Sequence, residues 1–122
     1  MSDPPRSPEE LFDGYPDGLA ICRRIQQVMS HFGDVSVAVS KSQVAFRRRK
    51  AFAFVWRPAQ YVSSDVPAVL SIALPSEIAS DRFKEIAHPA PTVWMHHLEL
   101  RGVSQVDDQV CSWLAAAYET AR

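Results

Sequence analysis

The chain has 122 residues, enough for one hydrophobic core but not for a second domain of ordinary size. Its composition, 47% hydrophobic and 22% charged, is typical of a folded protein and excludes the charge-rich make-up of disordered chains. The net charge of −1 argues against a dedicated nucleic-acid-binding domain, which is normally strongly basic.

The sequence offers no membrane segment and no export signal. No stretch approaches the roughly 20 consecutive apolar residues of a membrane-spanning helix, and the N-terminal residues lack an apolar signal region. We therefore expect a cytoplasmic protein. Cys22 and Cys111 lie on the apolar sides of predicted helices, where free thiols act as small hydrophobic groups. A disulfide between them is an alternative that the cytoplasm disfavours.

The N-terminal part of the chain is predicted to be helical. Residues 1–6 hold two prolines and are expected to form a mobile tail, followed by one α+β domain over residues 7–122. Ser7 and Pro8 have the pattern of a short helix start. A longer amphipathic helix begins near Pro16. Its apolar residues recur at spacings of three and four: Ile21, Ile25, Val28 and Phe32.

From Val35 onward the apolar period changes to two, which is typical of strands with one buried face. Strands are predicted over residues 35–39, 44–46, 51–56, 69–74 and 93–101. Residues 82–88 fit a strand or a helical turn equally well. The last helix is predicted to start at Ser104 as its N-cap, with Asp107 in the first turn.

These elements predict an α+β fold with a single antiparallel sheet of four to six strands. No helix separates successive strands, so no parallel crossover is available. The N-terminal and C-terminal helices must both cover the sheet, and covering one face is the most economical arrangement. The other face, called the open face below, is then available to a ligand, a partner or solvent.

Basic residues are concentrated in one segment, because residues 35–64 carry six basic side chains and no acidic one. Arg47, Arg48, Arg49 and Lys50 form what we call the basic turn, between two predicted strands. Charges at such a turn commonly keep a sheet edge soluble. The alternative is a nucleic-acid or protein interaction module that uses the basic turn, with Trp56 or Tyr61 stacking on a base.

A small ligand site on the open face is the hypothesis that the sequence favours. Lys41, Ser42 and Gln43 are three consecutive polar residues between apolar strands. They suit a small anionic or polar ligand, although Ser42 and Gln43 could also simply close a turn. His96 and His97 point to opposite faces and cannot share a metal ion. His96 is expected to be a hydrogen-bonded core residue, and His97 to face the ligand beside Glu99. The predicted ligand-binding residues are Lys41, Ser42, Gln43, Arg47, Arg57 and His97.

Two groups of residues carry a family resemblance. The first is Ser40–Phe46 with the aromatic run Phe52–Trp56, and the second is Met95–Leu100 with Asp107–Val110 and the following Trp113-Leu114 and Ala116–Tyr118. From about Pro8 onward they resemble the bacterial domain-of-unknown-function family 5655, which is similar in layout to small α+β folds of the YdhG and frataxin type. Because members occur alone or appended to nuclease-like or restriction-type proteins, the resemblance implies an accessory role, a possible nuclease-type protein partner, and no catalytic residues.

A metal-carrying role is a further alternative. The N-terminal acids Glu9, Glu10, Asp13 and Asp17 resemble the acidic ridge of frataxin-like iron carriers, although acids in first helical turns are also explained by the helix dipole. The sequence lacks Cys-x-x-Cys, His-Glu-x-x-His, Gly-x-Ser-x-Gly and Gly-rich phosphate-loop motifs. We therefore predict no catalytic residue, no metal site and no cofactor, and favour a non-catalytic binding domain over an enzyme.

Overall fold

Two helices with a proline in the first turn open the computed structural model, which describes residues 5–60 and 63–122. They are α1, Pro8–Leu11, and α2, Pro16–Met29. Proline suits a first helical turn because its missing N–H would have no helical partner there. Ser7 caps α1 as the sequence predicts, since its hydroxyl accepts a hydrogen bond from the backbone N–H of Glu10 at 3.2 Å.

The strands that follow form one antiparallel sheet of six strands, in the order β1-β2-β3-β4-β6-β5. They are β1 Ser36–Val39, β2 Val44–Arg47, β3 Ala51–Trp56, β4 Ala68–Leu74, β5 Glu85–Ala90 and β6 Val93–Leu100. The predicted antiparallel α+β class is therefore confirmed. Segment 82–88, for which the sequence allowed two conformations, contains the start of strand β5.

The hydrophobic core lies on one face of the sheet. Val55, Leu70 and Leu98 stand side by side on β3, β4 and β6, and all three are buried. They belong to the same core cluster as the apolar stripes of α2 and α3, the latter being the C-terminal helix Asp108–Thr120. Side chains alternate along a strand, so the next residues, such as Ser71, belong to the open face. Within the described residues no helix is long and apolar enough to span a membrane.

Helix α3 starts later than the sequence predicts, because Asp107 and not Ser104 is its N-cap. The Asp107 carboxylate accepts from the backbone N–H of Val110 at 3.1 Å and from Arg82 Nη1 at 3.0 Å. These two contacts, the backbone one first, lower the pKa of the Asp107 carboxyl. Ser104 lies instead in a short 3-10 helix, Val103–Gln105. The prediction was wrong because the Asp107 carboxylate forms an ion pair with Arg82 that the uncharged hydroxyl of Ser104 cannot form.

Both cysteines are free thiols, as the sequence favours. Cys22 is fully buried on α2, and burial raises the pKa of its thiol to about 12. Cys111 on α3 is half-buried. At neutral pH the Cys22 thiol therefore remains protonated and acts as a core side chain.

The position of the α3 cap can be tested by two alanine substitutions. We expect Asp107→Ala to lower the free energy of unfolding by about 1–2 kcal/mol, because the cap bond and the contact with Arg82 are both lost. Ser104→Ala is the matched control and should change it by less than about 0.5 kcal/mol. Urea unfolding followed by circular dichroism measures both values, and a larger loss for Ser104→Ala would contradict the assignment.

Candidate functional site

A pocket of about 650 Å³ opens on the open face of the sheet. Ligand pockets for small molecules usually measure about 300–1,000 Å³, so this volume is in the ordinary range. Phe54, Ser71 and His97 form its floor, because the register aligns them across β3, β4 and β6. The described residues that line it are Ser42, Gln43, Phe54, Trp56, Pro58, Ser71, Met95 and His97.

The walls of the pocket are largely apolar. Phe54 and Trp56 project from β3 two residues apart and therefore lie on the same face of the sheet. Met95 projects from β6, and Pro58 comes from the short 3-10 helix Pro58–Gln60 that follows β3. The polar lining groups are therefore few, a composition typical of ligand pockets, in which apolar walls supply contact area and polar groups supply orientation.

Three polar side chains of the pocket form a continuous set of hydrogen bonds, which we call the Trp56–Ser71–His97 network. Trp56 Nε1 donates to Ser71 Oγ at 2.9 Å, and Ser71 Oγ lies 2.7 Å from His97 Nδ1. Ser71 is only 3% exposed, so each of its hydrogen-bonding groups needs a protein partner. The network therefore sets the orientation of the His97 ring on the pocket floor.

The hydrogen bonds also assign the tautomer of His97. An indole N–H can only donate, so Ser71 Oγ accepts from Trp56. Among the residues described, His97 Nδ1 is the one acceptor to which the Ser71 hydroxyl can donate. Nδ1 therefore carries no proton, and neutral His97 has its proton on Nε2.

His97 is held in its neutral form by its surroundings. Burial lowers the pKa of the His97 imidazole, and nearby His96 adds to the shift, while the carboxylate of Glu85 opposes it. Glu85 stands directly opposite His97 on β5. The sequence suggested Glu99 as the group that orients His97, but the group bonded to the ring is Ser71, which the sequence analysis missed.

The structure divides the predicted ligand-binding residues into two sets. Ser42, Gln43 and His97 line the pocket. Lys41 and Arg57 instead line a smaller depression of about 240 Å³ beside α1, and Arg47 is exposed at the end of β2. A ligand-binding role for these last three residues remains a prediction.

Arg57 has structural contacts that the sequence did not reveal. Its Nε donates to the backbone oxygen of Leu11 at 3.1 Å, and its guanidinium lies 4.0 Å from the centre of the Tyr15 ring. The side-chain amide of Gln60 has a partner for both of its polar atoms in one orientation. Its nitrogen then donates to the backbone oxygen of Ser42, and its oxygen accepts from Arg57 Nη2, each at 3.2 Å. Arg57 therefore links the end of β3 to the N-terminal helices.

The basic turn contacts the C-terminal end of α3. Arg48 Nη1 donates to the backbone oxygen of Tyr118 at 3.1 Å, and its guanidinium lies 4.1 Å from the centre of that ring. The backbone N–H groups of Arg49 and Lys50 donate to the oxygen of Ala121 at 3.0 and 3.3 Å. Positive charge near a helix C-terminus is stabilising, so the turn has a structural role.

The residues named for the nucleic-acid alternative are not brought together. Trp56 lies at the opposite end of β3 from the basic turn, roughly 16 Å away along the strand. Tyr61 lies outside the described residues. The side chains of Arg47, Arg49 and Lys50 are exposed, while Arg48 is bonded to α3.

His96 is a hydrogen-bonded core residue, as the sequence predicts. It is fully buried; its Nδ1 lies 2.8 Å from the backbone oxygen of Trp94, and its Nε2 accepts from the N–H of Ile78 at 3.0 Å. Of the acids considered for iron binding, Glu9 pairs with Arg23 at 3.3 Å. In the portion of the chain that the structure describes, no group of three or more His, Cys, Asp or Glu side chains could hold a metal ion.

The lowered pKa of His97 predicts a pH-dependent stability. The unfolded chain takes up a proton at His97 near its ordinary pKa of about 6.5, whereas the folded chain resists protonation until lower pH. The contribution of His97 to the free energy of unfolding is therefore complete above that pH and is lost as the pH falls below it.

We expect wild type to lose more thermal stability than His97→Gln between about pH 7.5 and about pH 5.5. Differential scanning calorimetry at both pH values measures the loss for each protein. His31→Gln, at an exposed histidine, is the control and should behave as wild type does. Equal losses in wild type and His97→Gln would contradict the assigned neutral state.

Comparison with protein families gives one match that covers nearly the whole chain. A family model described as a domain of unknown function (DUF5655) matches residues 9–121. No match was found among curated proteins or among solved structures. The matched range contains all the described lining residues of the pocket and both groups of residues that carried the resemblance. The chain therefore belongs to the DUF5655 family of domains.

Proposed function

We propose that this domain is a binding module that holds a small polar ligand in the pocket on its open face. The observation that carries the proposal is the pocket itself, with a volume of about 650 Å³ on the sheet face opposite the core formed with α2 and α3. Apolar walls and a few convergent polar groups are the usual composition of a small-molecule site.

The apolar side chains on the open face favour ligand binding, because a ligand would remove them from contact with water. Phe54, Trp56 and Met95 are half-buried and line the same pocket. Transfer of apolar surface from water stabilises a complex by about 25 cal/mol per Å², so a ligand that covers these side chains gains affinity. Adjacent apolar side chains on an otherwise polar surface commonly mark a binding site.

The polar groups of the pocket support selectivity. Gln43 offers an amide that forms no side-chain hydrogen bond with any residue in the described ranges. His97 lies on the other side of the two aromatic residues, on β6. Groups that both donate and accept, placed at two sides of an apolar surface, distinguish ligands by the positions of their polar atoms.

The Ser71 and His97 pair supports binding more than nucleophilic catalysis. A serine bonded to a histidine is the arrangement that activates a nucleophile in many enzymes. Here, however, Ser71 Oγ accepts from Trp56 and is almost fully buried, so one lone pair is occupied and access to the oxygen is restricted. We assign the pair a positioning role in a cytoplasmic, non-catalytic accessory domain.

Interaction through the basic turn has weaker support. Arg48 is bonded to α3, and Trp56 belongs to the pocket at the other end of β3. The aromatic ring that contacts the turn, Tyr118, is buried and packed against Arg48, so the exposed cations of the turn offer electrostatic contact but no stacking platform. The small-ligand proposal therefore accounts for more of the observed side-chain arrangement.

A thermal-shift panel tests the proposal, using nucleobases, nucleotides, sugars, carboxylates, phosphates and divalent metals. A true ligand at a hundredfold excess over its Kd should stabilise the protein by about 2.7 kcal/mol. Met95→Trp, which fills the pocket from β6, should remove that stabilisation. The melting temperature of the unliganded variant must first show that it remains folded.

His31→Gln, at an exposed histidine that lines neither depression, is the control and should retain the full ligand-induced rise in melting temperature. Lys41→Ala tests the predicted role of Lys41, which lines the smaller depression beside α1 and not the pocket. A rise that Lys41→Ala abolishes and Met95→Trp leaves intact would move the site to that depression. The absence of a rise for every class in the panel would contradict small-ligand binding.

A further inference from the structure

The Trp56–Ser71–His97 network gives His97 a single hydrogen-bonding role toward the pocket. Nδ1 already accepts from Ser71, so the remaining polar group of the ring is Nε2–H. Nε2 has no hydrogen-bond partner among the residues that the structure describes, and those residues contain no buried side-chain polar atom without a partner. Nε2–H is therefore accessible to solvent, on a residue that lines the pocket.

A charged His97 would conflict with the same network. A proton on Nδ1 would have to donate to Ser71 Oγ, which also accepts from Trp56. The Ser71 hydroxyl proton would then have no acceptor among the described residues, in a place that is only 3% exposed. Leaving a buried donor unpaired costs about 1–3 kcal/mol, so the site favours a neutral donor at Nε2.

The pocket as a whole carries no charged lining side chain within the described ranges. Its polar lining residues besides His97 are Ser42, Gln43 and Ser71, all of them neutral. The predicted ligand-binding cations Lys41 and Arg57 line the other depression. An anionic ligand group placed in the pocket would lose hydration without gaining a counter-charge, and the Glu85 carboxylate opposite His97 would repel it, which favours an uncharged ligand over an anionic one.

The dimensions of the pocket favour a flat and elongated ligand. Gln43 immediately precedes β2 and His97 lies on β6, with β3 and β4 between them in the sheet. Three inter-strand steps separate the two backbones by roughly 14 Å, which the two side chains shorten. Phe54 and Trp56 lie between these ends and offer aromatic surface for stacking.

On the basis of the proposed binding function, we infer that the ligand is an uncharged heteroaromatic molecule of two or three fused rings. It lies against Phe54 and Trp56 and presents a hydrogen-bond acceptor to Nε2–H of His97. A sugar needs more polar partners than the pocket supplies, and an alkyl chain has no acceptor for the Nε2–H of His97.

The tautomer can be tested without any ligand. In a two-bond ¹H–¹⁵N NMR spectrum at neutral pH, we expect His97 to be the Nε2–H tautomer in wild type. In Ser71→Ala the hydroxyl is absent, so both tautomers should appear. A wild-type spectrum of the Nδ1–H form, or of a charged imidazolium, would overturn the inference and leave the pocket proposal standing.

The ligand class can be tested by calorimetric titration with five probes. Hypoxanthine and lumichrome are uncharged fused heterocycles with carbonyl acceptors; urate places a negative charge on a purine skeleton; glucose and decanoate represent sugars and alkyl chains. We expect hypoxanthine or lumichrome to bind. His97→Phe keeps a ring but removes the donor, so it should weaken that binding by about threefold to tenfold. His31→Gln, at an exposed histidine outside the pocket, should bind as wild type does.

The outcomes separate the two proposals. Binding of a heterocycle that Met95→Trp blocks and His97→Phe weakens supports both. Binding of urate, glucose or decanoate alone, again blocked by Met95→Trp, overturns the ligand class and retains the binding function. Heterocycle binding that His97→Phe leaves unchanged also overturns the inference. Failure of all five probes, together with a negative thermal-shift panel, overturns both.

Discussion

The alternation of side chains on β3, β4 and β6 is the constraint on which both the core and the pocket depend. One row of neighbouring residues, Val55 with Leu70 and Leu98, is buried beneath the long helices. The adjacent row, Phe54 with Ser71 and His97, faces the other way. A shift of one residue in the pairing would exchange the two rows, so the burial of the core also maintains the pocket floor.

Ser71 shows how one polar residue can connect the folded state to the site. A hydroxyl in the middle of an apolar strand is destabilising unless its hydrogen bonds are made, and here Trp56 and His97 make them. These partners come from different strands, so the three side chains order one another. The same bonds that satisfy a buried hydroxyl therefore hold an aromatic wall and a histidine in one arrangement.

Local sequence patterns predicted part of the site because part of it is local. Gln43 was found as a polar residue between apolar strands, and period-two alternation placed His97 on the open face. Ser71 and Met95 were missed because their roles depend on β4 pairing with β6 and not with β5, a choice made over a long distance in sequence. Trp56 was identified as a stacking residue, but its partner was sought in the basic turn.

The same limit explains the differences elsewhere in the fold. The antiparallel sheet follows from the absence of crossover helices, which can be read directly along the chain. The cap of α3 depends on Arg82, and the contacts of Arg57 depend on α1, so neither could be derived from spacing. Contacts of cations with distant backbone atoms leave no periodic signal in a sequence.

The attachment of Ala121 to the backbone of the basic turn has a practical consequence for handling the protein. Ser42, Trp56 and Pro58 line the pocket at one end of the sheet, whereas Ala121 is held at the other end, beside Arg49 and Lys50. Anything fused after Arg122 would leave the domain from that distant end. An affinity tag or a surface-coupling linker at this position should therefore immobilise the protein with its pocket accessible.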